Sequence, residues 1–317
     1  MSLPNRLHFA FHSVLLPGTE GYNHPYACSA ERLRRIIAHL EHRGYTITSC
    51  RNAMEADPQK SIATLSFDDG YVDGYHVAFS ILKEHEISAT FGIIACTTRG
   101  KIPPNAKLNK ALSLLGIKKV QAIFLEHLKN TTYEQLLETF TPQGPPFLTS
   151  PPPQRRLKVL FSCLLPLTLR QEMGNDLWNQ CFPDEAEEEK CWEIYMIPGT
   201  LKYMEQAGME VSPHSDTHPM LHNRGEEEID DEIQFSIAEL KGISGGTPPR
   251  NFIIPYGGTP SPHLAKVLRS YEKEIAVWGY IPNTPPWREL AAEESICTAR
   301  YDHRLFEEVL GIEPLGI

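Results

Sequence analysis

Apolar positions along the chain change period repeatedly, between the two-residue repeat of a strand and the 3.6-residue repeat of a helix. Residues 7–15 alternate and then run apolar, and read as a first strand with His12 near its end. Ser29 caps a helix, with Glu31 and Arg32 in its first turn and Leu33, Ile36, Ile37 and Leu40 at helical spacing. Gly44 closes that helix, and residues 45–48 form a short strand. Residues 62–67 are a β-branched apolar run of buried-strand length, ending abruptly in Asp68-Asp69-Gly70. Residues 77–82 suggest an amphipathic helix and 87–95 a further strand. This β-α-β rhythm predicts a parallel sheet or barrel.

The rhythm breaks over residues 99–191. Residues 108–115 and 120–128 look helical, and Thr131-Thr-Tyr-Glu134 is a capping-box pattern opening a helix to Phe140. Residues 141–146 and Pro151-Pro152-Pro153 read as linker or exposed loop. Residues 157–169 and an acidic, solvated run at 184–189 complete a mostly helical insertion. The rhythm resumes with helices at 198–208, 226–242 and 262–271, strands at 209–212, 251–254, 275–279 and 296–299, and a last helix near 303–310. The expected organisation is a barrel-type domain of residues 1–98 and 192–317 around an insertion of residues 99–191, which serves as a lid or as a dimerisation subdomain.

Composition narrows the function. The chain has 317 residues, of which 41% are hydrophobic and 22% charged, which describes an ordinary globular protein. A formal net charge of −10 argues against nucleic acid or an anionic membrane as partner. The 7 cysteines are scattered with no C-x-x-C pair, which reads as free thiols in a reducing compartment. The first twelve residues hold one cation, Arg6, and two histidines within the apolar run, and no apolar run reaches membrane-spanning length. The expectation is a cytoplasmic protein.

The candidate chemistry begins at Asp68 and Asp69. Two adjacent acids at the C-terminal end of a strand project in different directions, so one can ligate a metal while the other handles a proton. The second signal is Ser212-Pro-His214-Ser-Asp-Thr-His218-Pro219, directly after a short strand. Two histidines at i and i+4 can converge on one ion if the segment turns into a helix. Read alone, such a pair is more often two surface histidines. Taken with Asp69, it makes a two-histidine, one-carboxylate site suited to zinc or another divalent metal that activates water, with Asp68 beside it to take the proton.

Three stretches in this order, Thr64-Leu-Ser-Phe-Asp-Asp-Gly-Tyr71, His214-x-x-x-His218 and Phe252-Ile-Ile-Pro-Tyr256-Gly257, resemble the polysaccharide deacetylases, carbohydrate esterase family four. Phe9-Ala-Phe-His12-Ser-Val14 resembles that family's opening strand, Ser88-Ala-Thr-Phe-Gly92 the strand after the acid pair, and Gly208-Met-Glu-Val-Ser-Pro-His214 the lead-in to the histidines. The resemblance implies an α/β fold, a distorted (β/α) barrel, and metal-dependent hydrolysis of an acetamido or similar amide. Asp69, His214 and His218 would hold the metal, most plausibly Zn2+, with Co, Ni or Fe as alternatives. Asp68 would be the general base, and the backbone N–H of Tyr256 would stabilise the oxyanion.

The chain departs from the family pattern in two places. Ile253 stands where many members carry an arginine that orients the catalytic acid, and Arg300 resembles the basic residue that replaces it in some branches. The family's late general-acid histidine motif is not recognisable, which leaves His303 and His12 as candidates. His12, Pro255 and Trp278 are the expected substrate-side residues, although a core tryptophan is the plainer reading of Trp278. The function implied is removal of an N-acetyl or similar acyl group from an intracellular amino-sugar intermediate. The alternatives are a deacylase or deformylase of a non-sugar amide, or a non-catalytic binding protein on the same scaffold. The expected partner is a small N-acylated molecule, with no nucleic acid, no membrane span and a homodimer as an open option.

Overall fold

A computed structural model describes residues 4–16, 27–139, 150–257, 261–271, 275–281 and 297–314. The strands, in chain order, are β1 (Arg6–Phe11), β2 (Val14–Leu15), β3 (Cys28–Ser29), β4 (Thr46–Thr48), β5 (Ile62–Phe67), β6 (Thr90–Ile93), β7 (Glu210–Pro213), β8 (Asn251–Ile253), β9 (Ala276–Ile281) and β10 (Cys297–Asp302). β2 and β3 form a small separate pair. The others make one sheet in the order β7-β6-β5-β1-β10-β9-β8, with β4 on the lower half of β5. Every pairing within that sheet is parallel.

Side-chain alternation decides what each face carries. On the outer face, Leu7, Phe9, Phe11, Leu65, Phe67 and Phe91 pack with Leu33, Ile36, Ile37 and Leu40 of the helix Ala30–His42. Each fully buried side chain of this size contributes roughly 1.5–3 kcal/mol. Ser29 caps this helix, its Oγ accepting from the Arg32 N–H at 3.1 Å. The inner face is mostly polar, with His8, Thr64, Ser66, Thr90, Ser212, Asn251 and Arg300 all buried.

That polar lining draws the sheet into a distorted barrel. Alternate residues of β7 reach the far edge strand, β8. Glu210 bonds the Asn251 amide, Ser212 Oγ donates to Asn251 O at 2.9 Å, and His214 Nδ1 lies 2.9 Å from Ile253 O. The seam is therefore stitched by side chains, and its last stitch is a histidine of the site.

Within residues 99–191 the described helices are Ala95–Thr98 at the entry, then Pro104–Leu114, Gly116–Leu128, Leu136–Thr139, Pro152–Val159, Leu167–Cys181 and Glu187–Ile194. They enclose a core of their own around Leu108, Phe124, Leu160, Phe161, Met173 and Leu177. Three local expectations change. Pro151-Pro152-Pro153 is not loop but the start of a helix, because the first turn needs no proline N–H. The Thr131 box does not open its helix: Glu134 accepts from the Asn130 N–H, and regular turns begin only at Leu136. Residues 77–82 lie across a π-helical segment, Gly74–Phe79, and the helix Ser80–Glu84. Residues 140–149, with most of the expected linker, lie outside the described residues. No described helix is long and apolar enough to cross a membrane.

His8 gives the polar interior a measurable signature. Its Nδ1 lies 2.9 Å from Thr64 Oγ1, and its ring sits edge-on to Trp278 with centroids 4.9 Å apart. Burial, followed by the nearby charges of Arg6 and Arg300, lowers its pKa to about 4. The folded protein thus resists a proton that the unfolded chain accepts near pH 6.5, so His8 costs no stability above that pH and an increasing amount below it, levelling off near pH 4. The full loss is about 3 kcal/mol. His8→Gln should flatten the fall in urea-unfolding free energy between pH 6.5 and 4; an unchanged slope would place the loss elsewhere.

Candidate active site

β5 delivers Asp68 and Asp69 to its C-terminal end and turns through Gly70. Asp68 continues the inner face after Thr64 and Ser66, and is almost fully buried. Arg300, on the inner face of β10, grips it with Nη1 on Oδ1 at 2.7 Å and Nη2 on Oδ2 at 2.9 Å. The same guanidinium donates to Ser66 Oγ at 2.7 Å and to Gly279 O at 3.2 Å, so its orientation is over-determined. Burial opposes ionisation of Asp68, but the charge and hydrogen bonds of Arg300 together with the nearby histidines outweigh it, holding the carboxyl below its usual pKa. Gly92 lies beside this acid: a Cβ there would crowd Ile253 Cδ1 at 2.9 Å and make ordinary contact with Asp68 Oδ1 at 3.4 Å.

The two histidines converge without a helix. His214 continues β7, its N–H bonded to Ile93 O at 2.9 Å, and the chain then turns through Ser215, with φ of 62°, to His218, with φ of 56°. Several bonds hold this turn. Ser215 Oγ accepts from the His218 N–H at 3.0 Å, and the buried Glu232 accepts from the Asp216 and Thr217 N–H groups at 2.8 Å each. Ala95 and Cys96 N–H groups take the Ser215 and Asp216 carbonyls at 3.0 and 2.9 Å. A left-handed turn, not helical spacing, is what brings the rings together.

Asp69 Oδ1 lies 3.4 Å from His214 Nε2 and 3.3 Å from His218 Nε2, and the two Nε2 atoms are 3.2 Å apart. Because Ile253 O can only accept, His214 donates from Nδ1, and Nε2 is the atom it turns towards Asp69 and His218. Burial pushes the pKa of His218 down to about 3, so its ring is neutral near pH 7. Burial opposes ionisation of Asp69 too, but the flanking histidines prevail and its carboxyl stays below the usual range. Asp69 Oδ1 is buried without a hydrogen bond. One proton could bridge only two of these atoms, whereas a cation engages all three. The donor set therefore fits a divalent metal.

Tyr256 follows β8 and Pro255 with φ of 62°, its ring centroid 4.9 Å from that of His218. Its hydroxyl and the His218 carbonyl both take the Asn105 amide, from the helix Pro104–Leu114. On the other side, Met196 N–H bonds Gly70 O at 2.9 Å, and Tyr71 stacks on Tyr195 with centroids 5.4 Å apart. Residues on both flanks of the helical segment thus touch the site's loops. Asn105, Gly92, Ser215 and Glu232 are absent from the candidates the sequence suggests. Only Gly92 carried a signal, as a glycine inside a strand pattern.

The remaining candidates separate by face. His12 extends the inner face of β1 just above Asp68, whose N–H bonds Phe11 O at 2.8 Å. It is half-buried and within electrostatic reach of both acids. His303 is on the outer face, stacked on Phe11 with centroids 4.9 Å apart and an interplanar angle of 4°. Alternation along β10 sends it away from Arg300, so the structure does not bring it to the acids. Trp278 does not line a surface pocket. It is 2% exposed inside the barrel with Cys50 and Ile253, its indole N–H donated to Asn251 Oδ1 at 2.7 Å. Pro255 is buried as well, leaving Tyr256 as the half-exposed member of that turn.

Arg300→Met should strand the Asp68 carboxylate in the interior and cost about 3–5 kcal/mol of unfolding free energy near pH 7. Asp68→Asn in that background should recover much of the loss, because the stranded charge goes with it. Additive losses in the double variant would show that the pair is not coupled.

The polysaccharide deacetylase family model matches residues 178–275, which carry both histidines and Tyr256. No curated protein sequence matches the chain. Solved structures do. A de-N-acetylase from Aggregatibacter actinomycetemcomitans superposes with TM-score 0.54 at 14% identity, over 94% of this chain and 95% of that one. The Streptococcus pyogenes deacetylase PplD, solved with acetate, gives 0.54 at 14%, over 98% of both chains. IcaB from Ammonifex degensii gives 0.54 at 15%, over 96% of this chain and 95% of its own. The chain shares the fold of these deacetylases and, over residues 178–275, matches the polysaccharide deacetylase family model.

Proposed function

We propose that this protein is a metal-dependent hydrolase that removes an N-acetyl or similar acyl group from an amino sugar or a related biosynthetic intermediate. The observation that carries the reading is an ionised, buried carboxylate, Asp68, fixed by Arg300 next to the Asp69–His214–His218 donor set. A divalent cation held there, zinc by its affinity for two imidazoles and a carboxylate, would polarise the acyl carbonyl and acidify a water molecule.

The chain's own groups supply the rest. Asp68 accepts a proton from the attacking water; because Arg300 fixes its rotamer, it meets that water in one orientation. The Tyr256 N–H donates to the oxyanion as the carbonyl becomes tetrahedral. The C–N bond then breaks and the amine leaves with a proton. His12 is the histidine candidate on this face of the barrel; it donates that proton to the leaving nitrogen, and the proton held by Asp68 passes to solvent as His12 takes one up again. The products are a free amine and a carboxylate.

Two finer points belong to the same proposal. The helical segment of residues 99–191 forms a wall of the substrate site and narrows it to a small molecule; its support is Asn105, bonded to both His218 and Tyr256. The substrate is intracellular, in keeping with six described cysteines that form no disulfide.

The direct experiment measures acetate released from N-acetylated amino sugars by the purified protein, before and after chelation and after return of Zn, Co, Ni or Fe. Activity should vanish with the metal and return with it; activity indifferent to chelation would sink the reading. His214→Ala should lose stoichiometric metal with the fold kept, since two donors remain of three. Asp68→Asn should keep the metal yet turn over at least ~10²-fold more slowly. Full turnover in that variant would transfer the base role to His12.

A further inference from the structure

Resting on the deacetylase reading, we infer that Asn105, contributed by the inserted helices, is a positioning residue that couples the metal-binding half of the site to the oxyanion-binding half.

Asn105 is 9% exposed, and all four hydrogen-bonding capacities of its amide are used. Its Nδ2 donates to His218 O at 3.1 Å and to the Tyr256 hydroxyl. Its Oδ1 accepts from Ser162 Oγ at 3.0 Å and from Arg170 Nη2 at 3.1 Å. The amide has one orientation only. Arg170 can only donate and the His218 carbonyl can only accept, so a flipped side chain would meet like with like on both sides.

The two residues it holds are the ones that need holding. His218 and Tyr256 both sit in the left-handed region, at φ of 56° and 62°, where a bulky residue persists only if its surroundings over-determine it. Among the described residues, Asn105 is the side chain that bonds both.

The other side of Asn105 is equally fixed. Arg170 is fully buried with its guanidinium over the Phe161 ring, 5.5 Å from the centroid, and Ser162 lies in the turn Leu160–Leu164. The helix Leu167–Cys181 packs with Gly174 against Pro104, beside Asn105, and carries Arg170 to the amide. Three elements of the inserted region thus converge on one amide, and that amide faces the reaction centre.

The coupling predicts two separable losses. Asn105→Ala releases both His218 and Tyr256, so divalent-metal affinity should weaken about tenfold, and kcat should fall about tenfold or more with KM little changed. Tyr256→Phe breaks only one of the two links, so kcat should fall while zinc binds as in the wild type. The double variant should be no slower than Asn105→Ala alone, because both substitutions cut one path. Metal titration, kcat and KM are read on variants whose melting confirms a folded chain, and Tyr256→Phe decides the matter if Asn105→Ala does not fold. Wild-type zinc affinity in Asn105→Ala, wild-type kcat in Tyr256→Phe, or additive losses in the double variant would overturn the inference. A wild-type protein that binds zinc but releases no acetate would instead overturn the deacetylase reading, and the titration of Asn105→Ala would still decide the role of Asn105.

Discussion

The Asp68–Arg300 pair sets the terms for the rest of the barrel. Taking a carboxylate out of water costs several kcal/mol even after relaxation, and the charge opposite repays this only with good geometry and no idle donors. Here both carboxylate oxygens are engaged, and Nη1 and Nε are further occupied by Ser66 and the Gly279 carbonyl. That arrangement requires β1, β5, β9 and β10 to be parallel neighbours in one register, so that residues 66, 68 and 300 meet on the inner face. It places Gly92 beside the pair, where an added Cβ would crowd the Ile253 side chain at 2.9 Å. It also explains why the interior is polar. Once one ion pair is inside, His8, Thr64, Thr90, Glu210 and Asn251 form a bonded lining that an apolar core could not offer.

Strain is concentrated where the chemistry is. Asp69, Ser215, His218 and Tyr256 all adopt positive φ, and departures of this kind cost about 1–3 kcal/mol each. For Ser215, His218 and Tyr256 local bonds hold the conformation. The Ser215 hydroxyl and Glu232 fix the turn between the histidines, and Asn105 fixes its end and the Tyr256 loop. The histidine loop and the Tyr256 loop meet at the seam between β7 and β8, where no backbone ladder runs. Side chains carry the closure there, and His214 belongs both to that closure and to the donor set.

The elements that were legible in the sequence share a physical cause. Local pattern is strong where one residue has one job. Ser29 caps, Gly44 terminates, and the 62–67 run is buried on both faces. Asp68, Asp69, His214 and His218 stood out because rare residue types met at strand ends. What stayed hidden depends on conformation or on distant partners. Spacing alone lets His214 and His218 converge if the segment is helical, yet the turn takes its shape from Ser215 at positive φ and from Glu232, fourteen residues beyond His218. His303 is separated from the site by which face of a strand it occupies, and a one-residue shift in register reverses that, whereas Trp278 shares the inner face but lies at the level of His8 and Asn251. Asn105 looks like any polar residue in a first helical turn. Its significance arises only when helices from positions 104 and 167 pack side by side.

That packing bears on how the helical segment can move. A lid that swings free must leave its closed contacts for water without stranding buried charge. This segment buries Lys107 against Glu187 at 2.8 Å, and it buries Arg170 with only one of its nitrogens bonded, its pKa lowered to about 10 chiefly by burial. Arg224, from the barrel side, donates to Leu165 O and Ser162 O at 2.6 and 2.7 Å. Opening at this face would separate Arg224 from both carbonyls, and Asn105 from His218 and Tyr256, in a single movement. Those bonds tie the helices to the barrel side and to the site's loops at once. Substrate entry is easier along the edge where the His218 ring keeps some exposure than by lifting the helices. On the function proposed here, the insertion would be a fixed wall of the substrate site and not a swinging lid.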